Sequence, residues 1–365
     1  MTRSTRAGGG ASGTTSRQPA GRRSSARSPA RAPSRAPDAG GENVYVGISG
    51  WRYPEWRGVF YPEDLAHRRE LEFASRAVRT IEINGSFYSL QRLSSWLTWY
   101  AETPADYVFA VKGSGFISHN KKLQNCREAL ANFFASGVLA LEDKLGPILW
   151  QLPPQLRFDP ERIEAFFASL PGSTAAAAEL AREHDGRVKH GVYLDVRGDW
   201  PIRYALEPRH PSFDDPALRA ILRKYDVALA IADTAGEHPA FEDVNASHVY
   251  VRLHGSRELY RSGYTSAELD RWAERITEWR RGDDRLRDVF VYFDNDADVR
   301  APFDAMNLAA RFGHGRRVAF PRARMRAVHG PRARPPMELR APSARRSPPP
   351  RPSRSTSSPE YSPRR

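Results

Sequence analysis

Between Val44 and about Gly315 the chain alternates short apolar runs with longer amphipathic ones. Eight of the short runs have the length and residue types of buried β-strands. They are Tyr45–Ser49, Thr80–Asn84, Val108–Lys112, Pro147–Gln151, Tyr204–Glu207, Val227–Asp233, His248–His254 and Val289–Asn295. Stretches with helical spacing fall between most of them, at Leu65–Val78, Ser94–Glu102, Leu123–Leu141, Pro160–Ser169, Asp215–Lys224, Ser266–Arg280 and Pro302–Phe312.

Three of these helices carry start signals. Asp159 and Asp215 each place a capping carboxylate before a first-turn proline. Thr265 precedes the acidic first turn that contains Glu268. The predicted helix boundaries therefore rest on capping chemistry as well as on periodicity.

The order of these elements predicts an α/β fold, a (β/α)8 TIM-barrel-like single domain over residues 42–315. A doubly wound open sheet is the alternative. It would be favoured by a glycine-rich phosphate loop after the first strand, but Gly50 is followed by Trp51, Arg52 and Tyr53. Residues 172–200 exceed an ordinary loop and hold a helical piece, Thr174–Glu183, and an apolar run, Val192–Val196, with the composition of an extra strand.

The positive charge of the chain lies outside this predicted domain. The 365 residues carry a formal charge of +13, of which residues 1–41 hold +7 and residues 316–365 hold +12, so that residues 42–315 carry −6. Both tails are rich in Arg, Pro and Ser and poor in large apolar residues, which predicts disorder. They have the charge to bind nucleic acid or another polyanion, or they are solvated extensions without a specific partner.

Composition excludes several classes of protein. A lone cysteine, Cys126, rules out an internal disulfide framework and a cysteine-based zinc finger. No apolar run is long enough for a membrane-spanning helix. The N-terminus lacks the apolar segment of a secretory signal, and its glycines and prolines disfavour a transit peptide. We therefore expect a cytoplasmic protein without a membrane partner.

Most of the predicted strands end in charged or amide residues. Alternation puts Glu82 with Asn84, and Arg252 with His254, on the strand face opposite the isoleucines and leucines. In a barrel such strand ends converge on the C-terminal mouth, where these enzymes place their chemistry. The competing explanation is that strands end in polar residues because loops begin there. The side chains concerned are Glu82, Asn84, Lys112, Gln151, Glu207, Arg209, His210, Asp233, Arg252, His254, Asp294, Asn295 and Asp296.

Individual roles stay open from the residues alone. Glu207 has the chemistry of a general acid or base with a raised pKa, or of an ion-pair partner for Arg209 or Arg252. His210 and His254 suit metal binding or proton transfer, or a hydrogen-bonded structural role. Lys112 suits a phosphate or a carboxylate. The sequence contains no HExxH, CxxC, Walker or GxSxG motif.

Seven segments in order give the chain a family resemblance. They are Gly47–Tyr53 with Trp56–Pro62, Glu82–Tyr88, Phe109–Lys112 with Ser118 and His119, Leu145–Pro154, Glu207–Phe213, Tyr250–Gly255 and Tyr292–Asp296. Over residues 44–312 the chain resembles the DUF72 (YecE-like) family. The resemblance implies a TIM-barrel-like fold with a polar cavity at the C-terminal mouth, and it adds His119 to the polar positions given above. The chain departs from the family at Asp294, where asparagine is usual, and at Phe213, where tryptophan is frequent.

Our first functional hypothesis is an enzyme, a hydrolase or isomerase acting on a sugar-, phosphate- or nucleotide-like molecule. Glu207, His254, Asp233 and His210 would be catalytic. The substrate would bind Glu82, Asn84, Lys112, His119, Gln151, Arg209, Arg252, Asn295 and Asp296. A divalent metal is a candidate cofactor, with His210, Asp233, His254 and Glu82 as ligands. The alternatives are a nucleic-acid-associated protein that uses its basic tails and a barrel that binds a metabolite without turnover.

Overall fold

The computed structural model of the chain describes residues 41–282 and 286–315. These residues form a sheet of nine strands: β1 Val44–Ser49, β2 Thr80–Ile83, β3 Val108–Lys112, β4 Leu145–Gln151, β5 Tyr204–Glu207, β6 Val227–Leu229, β7 Ile231–Asp233, β8 His248–Leu253 and β9 Asp288–Phe293. All the strand pairings are parallel. The tails predicted to be disordered lie outside the described residues, apart from Gly41.

The sheet is nearly closed into a barrel. Strands β1 to β6 pair in chain order, and β1 also pairs with β9, β9 with β8 and β8 with β7. The edge strands β6 and β7 are successive pieces of one run, separated by Ala230, whose N–H donates to the Leu206 carbonyl at 2.8 Å. The predicted (β/α)8 barrel is confirmed, and the predicted strand Val227–Asp233 is the segment that joins the two edges.

Helices surround the sheet. They are α1 Glu70–Ala77, α2 Gly85–Tyr88, α3 Leu93–Glu102, α4 Arg127–Ala135, α5 Pro160–Ala168, α6 Thr174–Ala181, α7 Pro216–Lys224, α8 Ser266–Arg280 and α9 Ala301–Arg311. The predicted caps are present: Asp159 accepts from Arg162 N–H, and Asp215 from Ala217 N–H. Thr265 and Glu268 form a reciprocal capping box. None of the described helices is both long enough and apolar enough to cross a membrane.

Two predicted elements differ in the structure. The helix expected over Leu123–Leu141 covers only α4, because Leu123 and Asn125 before it have positive φ values of 66° and 51° and Gly137 after it has 115°. The run Val192–Val196 is not a strand. It is held from the side, since the Tyr193 N–H donates to the Ala135 carbonyl at 2.9 Å.

The barrel interior is filled unevenly. Alanines from β3, β5 and β6, including Ala110 and Ala205, face Tyr250, Phe290 and Tyr292 from β8 and β9. Small residues on one wall thus make room for aromatic rings from the other, which leaves no open channel at this level. The larger apolar cluster lies on the outer face of the strands, against the helices.

At the N-terminal end of the barrel, an arginine side chain packs with two aromatic rings and closes the interior. Arg203 pairs with Asp288 at 2.6 Å and lies 5.3 Å from the centre of the Phe290 ring. Tyr45 stacks on the same ring at 4.9 Å. His248 is buried there, with Nε2 3.1 Å from the Tyr204 carbonyl oxygen. Burial lowers the pKa of His248 to about 4, so the ring is neutral at pH 7.

Candidate active site at the C-terminal mouth

Strand alternation carries polar side chains to the opposite end of the barrel. A residue two positions beyond an interior residue faces the same side of its strand. The pairs of interior and mouth residues are Ala110 and Lys112, Leu149 and Gln151, Ala205 and Glu207, Tyr250 and Arg252, and Tyr292 and Asp294. The apolar interior residues thus lie one layer below the polar residues of the mouth.

Arg252 is the centre of the mouth. Its guanidinium is fully buried and contacts three carboxylates: Glu82 at 2.8 Å, Glu207 at 2.9 Å and Asp294 at 2.9 Å. The bond to Glu82 is bidentate, with a second contact of 3.1 Å from Nε. These carboxylates come from β2, β5 and the end of β9, so Arg252 joins distant parts of the sheet.

Glu82 has further donors that the sequence did not identify. The Tyr250 hydroxyl donates to Oε2 at 2.6 Å, and the Ser49 hydroxyl donates to Oε1 at 2.5 Å. Asn84 in turn donates to the Ser49 oxygen at 2.9 Å. Tyr250 lies two residues before Arg252 and therefore shares its strand face, which is the signal that would have found it. Each oxygen of Glu82 thus accepts two hydrogen bonds, and Glu82 holds Arg252 in place.

Glu207 forms ion pairs with Arg209 and Arg252, which is one of its two predicted roles. Burial alone would raise its pKa, but the charges of Arg252 and Arg209 outweigh burial and lower the pKa to about 2. Arg209 contacts the second carboxylate oxygen at 2.8 Å. Glu207 is therefore ionised at neutral pH and bonded on both oxygens, which suits positioning and not proton transfer.

His254 lies between Arg252 and Asp294. Its Nε2 is 3.3 Å from Arg252 Nη1 and must accept there, because a guanidinium only donates. The ring proton is thereby assigned to Nδ1, which lies 3.0 Å from Asp294 Oδ2 but off the line of a hydrogen bond. The edge-to-face contact with Tyr260 has a ring separation of 5.4 Å. His254 belongs to the mouth as predicted.

Asp294 and Asp296 lie in opposite electrostatic environments. Burial would raise the pKa of Asp294, but Arg252 and His254 lower it well below its ordinary value. Burial and then the charge of Asp294 raise the pKa of Asp296 to about 7. Two nearby carboxyl groups with separated pKa values are the usual sign of divided acid and base roles. Asp296 was predicted to bind substrate, whereas Asp294 was predicted only as a polar strand end without a catalytic or binding role.

Lys112 lies at the mouth and has no carboxylate as an ion-pair partner among the described residues. Only 9 % of the residue is exposed, and no described carboxylate lies within ion-pair distance of its ammonium. Nζ lies 4.7 Å from the centre of the Phe87 ring. Burial first, and then the charge of Arg252, lower the pKa of Lys112. His119 sits beside this pair, in edge contact with Phe87 at 5.0 Å.

Several buried acceptors of the mouth have no hydrogen-bond partner among the described residues. They are Asn84 Oδ1, Gln151 Oε1, Asn295 Oδ1 and Asp296 Oδ1. Leaving a buried polar atom unpaired costs roughly 1–3 kcal/mol. Asn295 otherwise has a structural role, because its amide donates to Asp304 at 2.9 Å and to the Ser262 carbonyl at 3.0 Å. The other three mark places where a bound molecule would supply hydrogen-bond donors.

Two predicted catalytic residues are used elsewhere. His210 Nδ1 accepts from the Ser212 N–H at 3.1 Å, capping the short helical turn that follows β5. Asp233 accepts from the Tyr264 hydroxyl at 3.0 Å and lines a cavity of about 370 Å³ with Thr234 and His238. Neither side chain makes a hydrogen bond or ion pair with Arg252 or its three carboxylates in the described part of the chain, although the Asp233 carbonyl accepts from the His254 N–H at 2.9 Å.

The predicted metal ligands do not form a metal site. In residues 41–282 and 286–315 no three His, Cys, Asp or Glu side chains converge in a way that could hold an ion. The donor atoms are already used, since Glu82 is saturated and His254 Nε2 accepts from Arg252. His210 and Asp233 point to other partners. The residues present therefore do not fit the divalent metal of the first hypothesis.

Fold and site together define a class: a TIM-barrel-like α/β protein whose C-terminal mouth holds a buried ionic network beside unpaired polar groups. The chain belongs to the family described as "Protein of unknown function DUF72", whose profile matches residues 45–327. The expected family membership is thereby confirmed.

Relatives and solved structures agree with this assignment. The UPF0759 protein YecE of Escherichia coli K12 is 25 % identical over 207 residues, which is 54 % of this chain and 61 % of that protein. The chain thus spans about three fifths of that relative. YunF of Bacillus subtilis is 24 % identical over 285 residues, covering 70 % of this chain and 89 % of YunF.

Two crystal structures of family members share the fold. The protein from Thermotoga maritima is 24 % identical with a TM-score of 0.59, over 74 % of this chain and 99 % of that one. A protein from Enterococcus faecalis is 14 % identical with a TM-score of 0.56, over 74 % of this chain and 96 % of that one. At these identities the likeness establishes the barrel.

Proposed function

We propose that the barrel is an enzyme, of hydrolase or isomerase type, that moves a proton on a small hydroxyl-bearing molecule bound at the C-terminal mouth. Asp296 is the acid or base, in place of Glu207. The observation that carries this is the Asp294–Asp296 pair: one carboxyl is held ionised by Arg252, and the other belongs to a half-buried residue whose Oδ1 is buried and unpaired among the described residues. A carboxyl with a pKa of about 7 exchanges its proton readily at neutral pH.

The unpaired acceptors indicate the substrate class. Asn84 Oδ1, Gln151 Oε1 and Asp296 Oδ1 are complementary to hydroxyl groups, because a hydroxyl both donates and accepts. The carboxylates of the Arg252 network, Glu82, Glu207 and Asp294, are already ion-paired and are not available to a cationic ligand. Sugar-like molecules fit this pattern better than amines do. Arg252 itself is saturated and acts as a positioning residue.

Turnover by matched variants tests the proposal. Full-length protein would be incubated with aldoses, ketoses, their phosphates and nitrophenyl glycosides, and products or deuterium uptake from D₂O followed by ¹H NMR. We expect Asp296→Asn to lower kcat by roughly 100-fold or more. Asp298→Asn, a nearby change at an exposed residue, should keep the rate. No conversion by the wild type, or equal rates for wild type and Asp296→Asn, would contradict the proposal.

The other hypotheses stay predictions. A nucleic-acid role depends on the basic tails, which lie outside the described residues, and the acidic charge of residues 42–315 does not favour the barrel as the binder. Binding without turnover uses the same residue types and is separated from catalysis by the experiment above. The cytoplasmic location likewise stays a prediction.

A further inference from the structure

Two of the six lysines of the chain are buried, and they differ in their partners. Lys144 is 4 % exposed, and its Nζ donates to the carbonyl oxygens of Tyr100 and Thr103 at 2.6 and 3.0 Å and to the Thr103 hydroxyl at 3.2 Å. Lys112 is 9 % exposed and makes no such bond to the described residues. Lys144 is therefore fixed in the fold, while the amine of Lys112 is left for something else.

The surroundings of Lys112 favour the neutral amine. The carboxylates Glu82, Glu207 and Asp294 are ion-paired with Arg252, and although their charges raise the pKa of Lys112, burial and the charge of Arg252 outweigh them and lower it. The Phe87 ring covers one side of Nζ, and burial removes most of its water. A desolvated lysine next to another cation is a recognised arrangement for a nucleophilic amine. The remaining exposed fraction opens onto the mouth, because Lys112 lies on the interior face at the end of β3.

We propose that Lys112 is a nucleophile that forms an imine with the carbonyl carbon of a hydroxylated aldehyde or ketone bound at the mouth. This inference rests on the proposed function and narrows its substrate class to open-chain sugars and related hydroxy-carbonyl compounds. It also favours the isomerase branch, because an imine withdraws electrons from the neighbouring carbon and eases removal of its proton.

The step balances without a redox partner. The Lys112 nitrogen adds to the carbonyl carbon, the C=O bond becomes a C–OH bond, and a carbinolamine results. That C–O bond then breaks, and the oxygen leaves as water with one proton from the nitrogen and one from solvent. The nitrogen keeps its second proton, so the products are a protonated C=N bond with one positive charge and one water molecule, and no atom is oxidised or reduced. Hydroxyl groups of the ligand would pair with Gln151 Oε1 and Asn84 Oδ1, which the chain leaves unpaired in the part described.

Reductive trapping tests this directly. Full-length protein at pH 7 would be exposed briefly to dihydroxyacetone or glyceraldehyde with cyanoborohydride, which reduces an imine to a stable secondary amine. Peptide mapping by mass spectrometry then locates the adduct. We expect one adduct per chain, formed on Lys112 roughly tenfold faster than on any other lysine. Lys112→Arg should abolish it, and Lys144→Arg, checked for folding by circular dichroism, should leave it unchanged.

Three results would overturn the inference. The first is labelling spread over the exposed lysines, and the second is equal labelling of Lys112 and Lys144. The third is the absence of an adduct on Lys112 together with binding of inorganic phosphate there, which would make Lys112 an anion-binding residue. Because the wild type alone gives the readout, no variant has to fold for the first two. Loss of turnover in Asp296→Asn without a Lys112 adduct removes the imine and keeps the proposed function. An adduct on Lys112 together with undiminished turnover in Asp296→Asn keeps the imine and removes the proposed acid-base role of Asp296.

Discussion

The two ends of the barrel differ in how deeply their charged side chains are buried and in how many ion-pair partners these have. At the N-terminal end Arg203 meets one carboxylate, Asp288, and both side chains keep contact with water, at 37 % and 25 % exposure. At the C-terminal mouth Arg252 is fully buried and meets three carboxylates. The first arrangement closes the barrel on an aromatic stack, and the second leaves polar groups without partners beside it.

The difference separates stability from function. A buried ion pair is seldom more stabilising than apolar side chains of the same shape, because removing charges from water costs as much as the pairing returns. Closing a barrel therefore needs nothing like the Arg252 network. The unpaired Gln151 and Asp296 oxygens at the mouth cost stability outright. Polar groups that do not contribute to the stability of the fold are best explained by a role in binding a ligand.

The largest effect should come from Arg252. Replacing Arg252 with methionine leaves three carboxylates without their shared ion-pair partner. We therefore expect a loss of about 3–5 kcal/mol in the free energy of unfolding. The same change at Arg203 exposes one partly hydrated carboxylate and should cost about 1 kcal/mol or less. Urea denaturation of the two variants checks this. Equal losses would mean that the two ends do not differ in the way described.

Acid should weaken the mouth through Glu207. Its folded pKa of about 2 lies below the ordinary value, so its contribution is present above about pH 4.5 and is lost as the pH falls toward 2. The amount is on the order of 3 kcal/mol. Stability measured against pH should therefore fall less steeply in that window for Glu207→Gln than for the wild type. An unchanged slope would show that Glu207 is not held ionised by Arg252 and Arg209.

The N-terminal end should respond at higher pH. His248 has a lowered pKa of about 4, so its contribution is lost as the pH falls from about 6.5 toward 4. By pH 5 the loss is on the order of 2 kcal/mol. His248→Asn should flatten the stability curve in this window and leave the window of Glu207 intact. A curve of unchanged shape between pH 6.5 and 4 would contradict the burial assigned to His248.

Much of the fold and part of the site could be predicted from the sequence. Alternation in short apolar runs is a local property, and it placed Glu82, Lys112, Arg252 and His254 on the interior face. Capping at Asp159, Asp215 and Thr265 is also local, and it was confirmed. The run Val192–Val196 misled because an apolar segment that packs side-on resembles a strand in composition.

Pairing within the site could not be predicted. Glu82 and Arg252 are 170 residues apart, and only the closure of the barrel decides that they meet. Once they do, Arg252 sets the charge of Glu207 and Asp294, and Asp294 raises the pKa of Asp296. His210 was assigned a catalytic role because a histidine after a strand suits one, yet the backbone of the next turn uses it as a cap. The acid-base role that we propose for Asp296, in place of Glu207, therefore depends on three-dimensional contacts that the sequence does not show.

Asp296, with a pKa raised to about 7, lies at the mouth beside the ionised Asp294, and the most direct test of this pair is a titration of the aspartate carboxyl carbons by ¹³C NMR in selectively labelled full-length protein. The wild type should show a resonance with an apparent pKa of about 7 that disappears in Asp296→Asn. In Asp294→Asn, which removes the neighbouring negative charge, this pKa should fall. If the resonance lost in Asp296→Asn titrates near 4 in the wild type, Asp296 is an ordinary carboxylate and the account of the mouth is wrong.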